Sequence, residues 1–144
     1  EMWIRDSDGK LCQQPAHEIE RMRGDCVRAT GGETVEEPGR LFDLVVSCEG
    51  AKMVELEIRK GVFVCYADGM LTLDMGDEGY GRDQRSIELS ELRDLRVLSD
   101  TTMVEIFANG GEAALTSRTY SPAVPAMELH AEGAASMNFY RLVH

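Results

Sequence analysis

Most of the chain is patterned with a period of two. Val104, Ile106 and Ala108 fall on one side of a run whose other side carries Met103, Glu105, Phe107 and Asn109. A second run sets Ala113, Leu115, Ser117 and Thr119 against Ala114, Thr116, Arg118 and Tyr120. Asn109-Gly110-Gly111 lies between them, and Asn-Gly suits a tight turn whose central residues both need positive φ, so the segment predicts a β-hairpin. Over 53–59, Val54, Leu56 and Ile58 alternate with Glu55, Glu57 and Arg59, the pattern of a half-buried strand with Arg59 on its polar side. The denser run over 41–48, with Leu44-Val45-Val46 at its centre, predicts a strand covered on both faces. Residues 62–66 and 70–74 flank Ala67-Asp68-Gly69 and predict a second hairpin. Residues 127–130 and 135–142 flank Glu132-Gly133 and predict a third.

Strands recurring at roughly 8–12 residues with turn signals between them indicate a sandwich or barrel. Helical signals are few. Pro15 can open a short helix because its missing N–H is no loss in a first turn. Ile19 and Met22 would then share a face, and at most two turns fit before Gly24. Ser90–Leu95 is read as a single helical turn capped by Ser90, with Glu91 early in it. The expected fold is all-β: an antiparallel two-sheet β-sandwich over 25–144, preceded by a linker or helical turn over 1–24.

Composition narrows the partners. With 43% hydrophobic and 28% charged residues the chain is ordinary for a globular domain, and 144 residues point to one such domain. A formal net charge of −11 argues against nucleic acid or an anionic membrane as partner. No apolar run approaches the ~20 residues that span a bilayer, and charges throughout residues 1–20 give no signal-peptide pattern. Beginning at Glu1, the chain reads as a fragment. Cys12, Cys26, Cys48 and Cys65 show no C-x-x-C spacing, so reduced, partly buried thiols are expected, with a disulfide as the alternative. His17, His130 and His144 are far apart and none has zinc-ligand spacing with a cysteine; no metal or other cofactor is indicated.

The stretch over residues 93–120 resembles a signature of the C-terminal β-sandwich domain of family 32 glycoside hydrolases, L-R-x-L-x-D-x-S-x-V-E-[IV]-F-x-N-x-G-x-x-x-[LF]-T-[ST]-R. Asp100, Glu105, Phe107, Asn109 and Arg118 stand at signature positions. Two further stretches are similar to the family. Asp8-Gly9-Lys10-Leu11, Gln14-Pro15, Glu18-Ile19 and Met22-Arg23 follow the passage from its catalytic domain into the sandwich, and Tyr66, Leu71, Leu73 and Asp74 fit a hairpin pattern near the middle. Met75 stands where the family usually has Arg; Arg82 or Arg85 is the candidate substitute. The resemblance implies a retaining β-fructofuranosidase-type parent, an invertase or sucrose-6-phosphate hydrolase, in which a five-bladed propeller forms a covalent fructosyl intermediate. The sandwich would pack on that propeller, stabilise it and contribute dimer contacts, in a bacterial cytoplasm. Gln14, Pro15, Tyr80 and Arg82 are the candidate interdomain contacts.

Catalytic chemistry is not expected in the chain itself. The family's W-[MI]-N-D-P-N-G, R-D-P and E-C motifs do not occur: Trp3 is followed by Ile4-Arg5, Arg82-Asp83 by Gln84, and in Ser47-Cys48-Glu49 the acid follows the cysteine. Glycoside hydrolysis needs two carboxyl groups at a set spacing, but among 26 acids some close pair is inevitable. Asp100 is therefore read as tightening a turn before a strand, and Glu105 as a ladder-facing or hydrogen-bonded structural carboxylate. No G-x-S-x-G elbow is present, and Gly31-Gly32 and the glycines of 79–81 lack P-loop or Rossmann spacing. Tyr80, in its Gly-bracketed loop, is the aromatic residue best placed to touch a ligand or partner. The rival reading is a stand-alone fructan- or sucrose-binding module, which would need an open aromatic platform.

Overall fold

A computed structural model describes residues 2–5, 11–14, 18–76 and 84–143, with side chains from residue 19 onward. The strands are β1 (Met2–Arg5), β2 (Leu11–Gln14), β3 (Arg23–Thr30), β4 (Thr34–Glu36), β5 (Phe42–Cys48), β6 (Met53–Arg59), β7 (Val62–Ala67), β8 (Met70–Asp74), β9 (Gln84–Glu88), β10 (Asp94–Ser99), β11 (Met103–Ala108), β12 (Ala113–Arg118), β13 (Ala126–Glu128), β14 (His130–Glu132) and β15 (Ala135–Leu142). One helical turn, α1 (Glu18–Arg21), precedes β3. A six-stranded sheet runs β12-β11-β10-β5-β15-β3 and a five-stranded sheet β14-β6-β7-β8-β9, every pairing antiparallel. Their inner faces meet in one apolar cluster. Leu44, Val97, Ile106 and Phe139 come from one sheet, and Leu56, Ile58, Val64 and Leu71 from the other. The chain is an antiparallel β-sandwich.

Two of the anticipated hairpins are present. Asp68 (φ 52°) and Gly69 (φ 72°) form the two-residue turn between β7 and β8, where Ala67 faces Met70. Between β11 and β12, Asn109, Gly110 and Gly111 all take positive φ, and Glu112 completes the loop before Ala113 faces Ala108. The third hairpin does not form. Residues 126–128 pair with β4 and 130–132 with β6, whereas β15 enters the six-stranded sheet between β5 and β3. The turn at Gly133 (φ 113°) carries the chain from one sheet to the other, and a Cβ there would lie 3.0 Å from Ala51 Cα. Alternation alone cannot tell a hairpin from a sheet-to-sheet crossing, because both present the same face to the core.

Three further differences have local causes. Residues 90–93 form an irregular, bent segment rather than a helical turn, and their backbone is held by Asn109 from the turn after β11. The segment 1–24 holds a strand pair: β1 and β2 are antiparallel, with Trp3 opposite Gln13. Pro15 lies outside the described residues. Finally, Arg59 is fully buried rather than on the polar side of β6. The register shifts between Glu57 and Arg59, so Arg59 faces Val62 and the side-chain phase reverses.

The buried guanidinium of Arg59 joins the sheets at one end of the sandwich. Its Nε and Nη2 donate to the carbonyl of Ser121 at 2.8 and 2.6 Å. Nη1 donates to Ser99 Oγ and the carbonyl of Asp100, and Nη2 also to the carbonyl of Thr101. One side chain of β6 thereby holds both the β10–β11 turn and the strand-like segment after β12. Burial pulls its pKa below the ordinary arginine value, with the charge of Arg40 adding and Asp100 opposing. Arg59→Met keeps the aliphatic bulk but removes every donor. It is expected to cost about 3 kcal/mol or more in a urea titration, since buried acceptors are left unmatched.

Phenols supply a pH dependence. Tyr66 is buried and donates to the carbonyl of Leu89 at 2.8 Å; burial first, then Glu91 and Cys48, raises its pKa. Because the folded-state value lies above the unfolded one, this contribution to stability is complete below about pH 10 and is lost as pH rises through the higher folded value. The melting temperature should therefore fall on the alkaline side of about pH 10, and Tyr66→Phe should flatten that fall.

Candidate functional site

The sequence signature maps onto the outer face of the six-stranded sheet and its two ends. Register places Thr116, Glu105, Leu98, Asp43, Tyr140 and Cys26 in one row across all six strands. The adjacent row is Ala114, Phe107, Arg96, Val45, Asn138 and Arg28. Facing away from the sandwich core, these positions would ordinarily be wet. Yet Asp43 is 0%, Phe107 3% and Leu98 8% exposed. The chain's own first residues lie along the same sheet: the backbone of β2 runs beside β12 and the 109–111 turn, and Glu20 of α1 reaches Arg96 at 3.6 Å.

Asp43 is the electrostatic centre of this face. Arg23 Nε donates to its Oδ2 at 2.7 Å, while Arg96 donates from Nε to Oδ1 at 2.9 Å and from Nη2 to Oδ2 at 2.8 Å. Arg23 also stacks 4.2 Å from the centroid of the Tyr140 ring. A hydrogen bond with Cys26, and then burial, raises the Tyr140 pKa. A buried carboxylate is tolerated when its lone pairs are filled in this way. Both oxygens are engaged by guanidinium groups of Arg23 and Arg96.

Asp100 Oδ1 accepts from the backbone N–H groups of Thr102 and Met103, both at 2.8 Å, and its own N–H donates to the carbonyl of Met103. It closes the β10–β11 turn. Glu105 is half-buried and stands opposite Leu98 and Thr116. Asn109 is 6% exposed and works as a staple. Its Oδ1 accepts from the N–H of Arg93 at 2.7 Å, and its Nδ2 donates to the carbonyl of Glu91 at 2.9 Å. Asp94 Oδ1 returns a bond from the Gly110 N–H. Arg118 is exposed opposite Met103 at the edge of the sheet. These residues surround one face but do not converge on a shared point.

Of the candidate interdomain contacts, Gln14 lies in β2, where only the backbone is described, and Pro15, Tyr80 and Arg82 lie outside the described residues. Arg85 is half-buried and donates to the carbonyl of Thr116, linking β9 of one sheet to β12 of the other. Met75 is fully buried. Cys26, Cys48 and Cys65 are free thiols. Among the described residues, no group of three His, Cys, Asp or Glu could hold a metal ion.

Sequence reasoning passed over Asp43, Arg96 and Arg59. A signal for Asp43 was available: an acid inside an apolar run that is covered on both faces must find cationic partners. Arg96 sits two residues before Leu98 in β10, with the spacing that shares a face. Arg59 left no such trace, because its burial follows from a register shift.

Asn109 combines a positive φ of 53° with three side-chain duties. Asn109→Gly keeps the backbone conformation and should cost about 2 kcal/mol through the lost hydrogen bonds. Asn109→Ala should cost roughly 1 kcal/mol more, because a Cβ disfavours that φ. Urea denaturation of both variants measures the difference.

Comparison with known proteins agrees with this architecture. Residues 62–142 match the family described as "Glycosyl hydrolases family 32 C terminal". A raffinose invertase of Escherichia coli is 33% identical over 138 residues, spanning 83% of this chain and 28% of the relative. A sucrose-6-phosphate hydrolase of Salmonella typhimurium is 30% identical over 125 residues, spanning 81% of this chain and 24% of the relative. The chain thus spans about a quarter of the length of these relatives. A solved family 32 glycoside hydrolase from Bifidobacterium adolescentis superposes with a TM-score of 0.79 at 18% identity, over 98% of this chain and 25% of that one. For a sucrose-6-phosphate hydrolase from Lactobacillus gasseri the TM-score is 0.74 at 19% identity, over 95% and 32%. The strand order, the signature segment and these matches together make the chain a member of glycosyl hydrolase family 32, corresponding to its C-terminal β-sandwich domain.

Proposed function

We propose that this chain serves as the non-catalytic part of a sucrose or sucrose-6-phosphate hydrolase and stabilises a catalytic domain attached on its N-terminal side. The observation that carries the proposal is the pinned N-terminal segment. Arg23 and Glu20 tie the passage into β3 to the Asp43–Arg96 pair, while β2 runs beside β12. A polypeptide arriving through this segment is held against a rigid sheet and does not swing on a free tether. The acids at signature positions support the non-catalytic role, since Asp100 is engaged in a turn and the nearby Asp43 in ion pairs. Contacts between two copies belong to the same proposal, with the long exposed edge strand β3, where Val27 is 38% exposed, as the surface that supports them. So does action in a bacterial cytoplasm, with which the free thiols agree.

Assayed alone, the chain should release no fructose from sucrose or sucrose 6-phosphate; turnover above the buffer rate would sink the non-catalytic role. Joined in frame behind a family 32 catalytic domain, it should lengthen that domain's half-life at an inactivating temperature by on the order of tenfold, equivalent to about 1.4 kcal/mol in the barrier. Asp43→Asn should remove most of the gain. An unchanged half-life would overturn the stabilising role.

A further inference from the structure

The outer face of the five-stranded sheet carries a concavity that none of the roles above uses. Its volume is about 370 Å3, within the range of small-ligand sites. Register builds it from two neighbouring rows. In one, Phe63 stands opposite Asp74, and Asp74 opposite Gln84. In the other, Glu55, Cys65 and Thr72 follow one another across β6, β7 and β8. Phe63, Glu55, Cys65, Thr72 and Asp74 are half-buried, so each still presents surface to solvent.

The chemistry of this lining is selective. Phe63 offers an apolar ring within a strand-wide step of carboxylate, amide and hydroxyl groups. Thr72 is oriented by a 3.0 Å bond with Ser86, and Asp74 by accepting the N–H of Gly76 through Oδ1. The side chains of Glu55 and Gln84 are not hydrogen-bonded to any described residue. No lysine or arginine lines the concavity among the described residues, and two carboxylates do. A phosphorylated or otherwise anionic ligand would be repelled. A neutral polyhydroxylated ring satisfies all the groups at once: its C–H face covers the aromatic ring while its hydroxyls donate to the carboxylates and exchange bonds with the amide.

We infer that this concavity is a binding site for a neutral oligosaccharide, with Phe63 as the stacking platform and Glu55, Asp74 and Gln84 as the hydroxyl-recognising groups. The site is open along the sheet, so it takes a few rings of a longer chain and not a single enclosed sugar. It does not depend on the stabilising role proposed above, because it lies on the opposite sheet from Asp43 and the N-terminal segment.

Two-dimensional amide spectra of the isotope-labelled chain test this directly, with a neutral fructo-oligosaccharide in one titration and a neutral gluco-oligosaccharide in the other. Saturable shifts confined to β6–β9 in at least one series are expected, and the series that saturates identifies the sugar. Phe63→Ala should weaken that binding about tenfold, the equivalent of one lost stacking contact. Gln84→Ala, at an exposed position with no core role, should weaken it while leaving the spectrum of the folded chain intact. No saturable shift in either series, shifts centred on another face, or affinity unchanged in both variants overturns the proposal. None of those outcomes bears on the half-life of the joined catalytic domain, so the two readings fail separately.

Discussion

A carboxylate without solvent exposure lies at the centre of the six-stranded sheet, and much of the structure follows from its need for partners. Asp43 is on the face turned away from the core, where a strand of an ordinary sandwich meets water. Burying one unmatched charge costs several kcal/mol, so the sheet must supply cations. Arg96 comes from β10 and Arg23 from the start of β3, which lie on the two sides of β5, beyond β15 in the case of β3. Arg96 then reaches Glu20, which ties in the helical turn α1. The ion pairs thus fasten the entry into β3 to the outer face of the sheet.

One residue along β10 from Leu98, which faces Asp43, the sandwich uses the opposite device. Arg59 is a buried cation matched almost entirely by backbone carbonyls, those of Asp100, Thr101 and Ser121, with the Ser99 hydroxyl added. Carbonyls in turns have lone pairs that no ladder uses, and a guanidinium has enough donors to reach several at once. The result is a clamp between β6 and the two turns of the other sheet. Asp100 serves the same corner through its side chain, by capping the N–H groups of Thr102 and Met103. A signature position therefore works together with a residue that no signature marked.

These arrangements give two of the domain's acids structural work. Catalytic carboxylates need a changeable proton and room for a substrate. The oxygens of Asp43 are filled by guanidinium groups, and Asp100 is held by backbone donors. The half-buried Glu55, Thr72 and Asp74 stand instead on the outer face of the five-stranded sheet, around Phe63.

The alternation of residues 53–58 and 103–120, the Asp68-Gly69 turn and the Asn109-Gly110-Gly111 turn were each legible in the chain, because they depend on neighbours within a few positions. Period two sets which face a side chain takes, and positive φ selects the turn residues. The family signature was legible for the same reason, being a single hairpin with its approach. What the sequence alone determined was therefore the fold class and two of the three hairpins read from it. Tertiary structure decided the rest. The 126–142 segment pairs with four different strands, residues 90–93 are bent into a loop that Asn109 holds, and the phase of Arg59 reverses at a bulge. It also decided that the outer row from Thr116 to Cys26 exists, since that row draws one residue from each of six strands. Such outcomes depend on which distant strand lies alongside and in what register. A local pattern of apolar and polar residues carries no information about either.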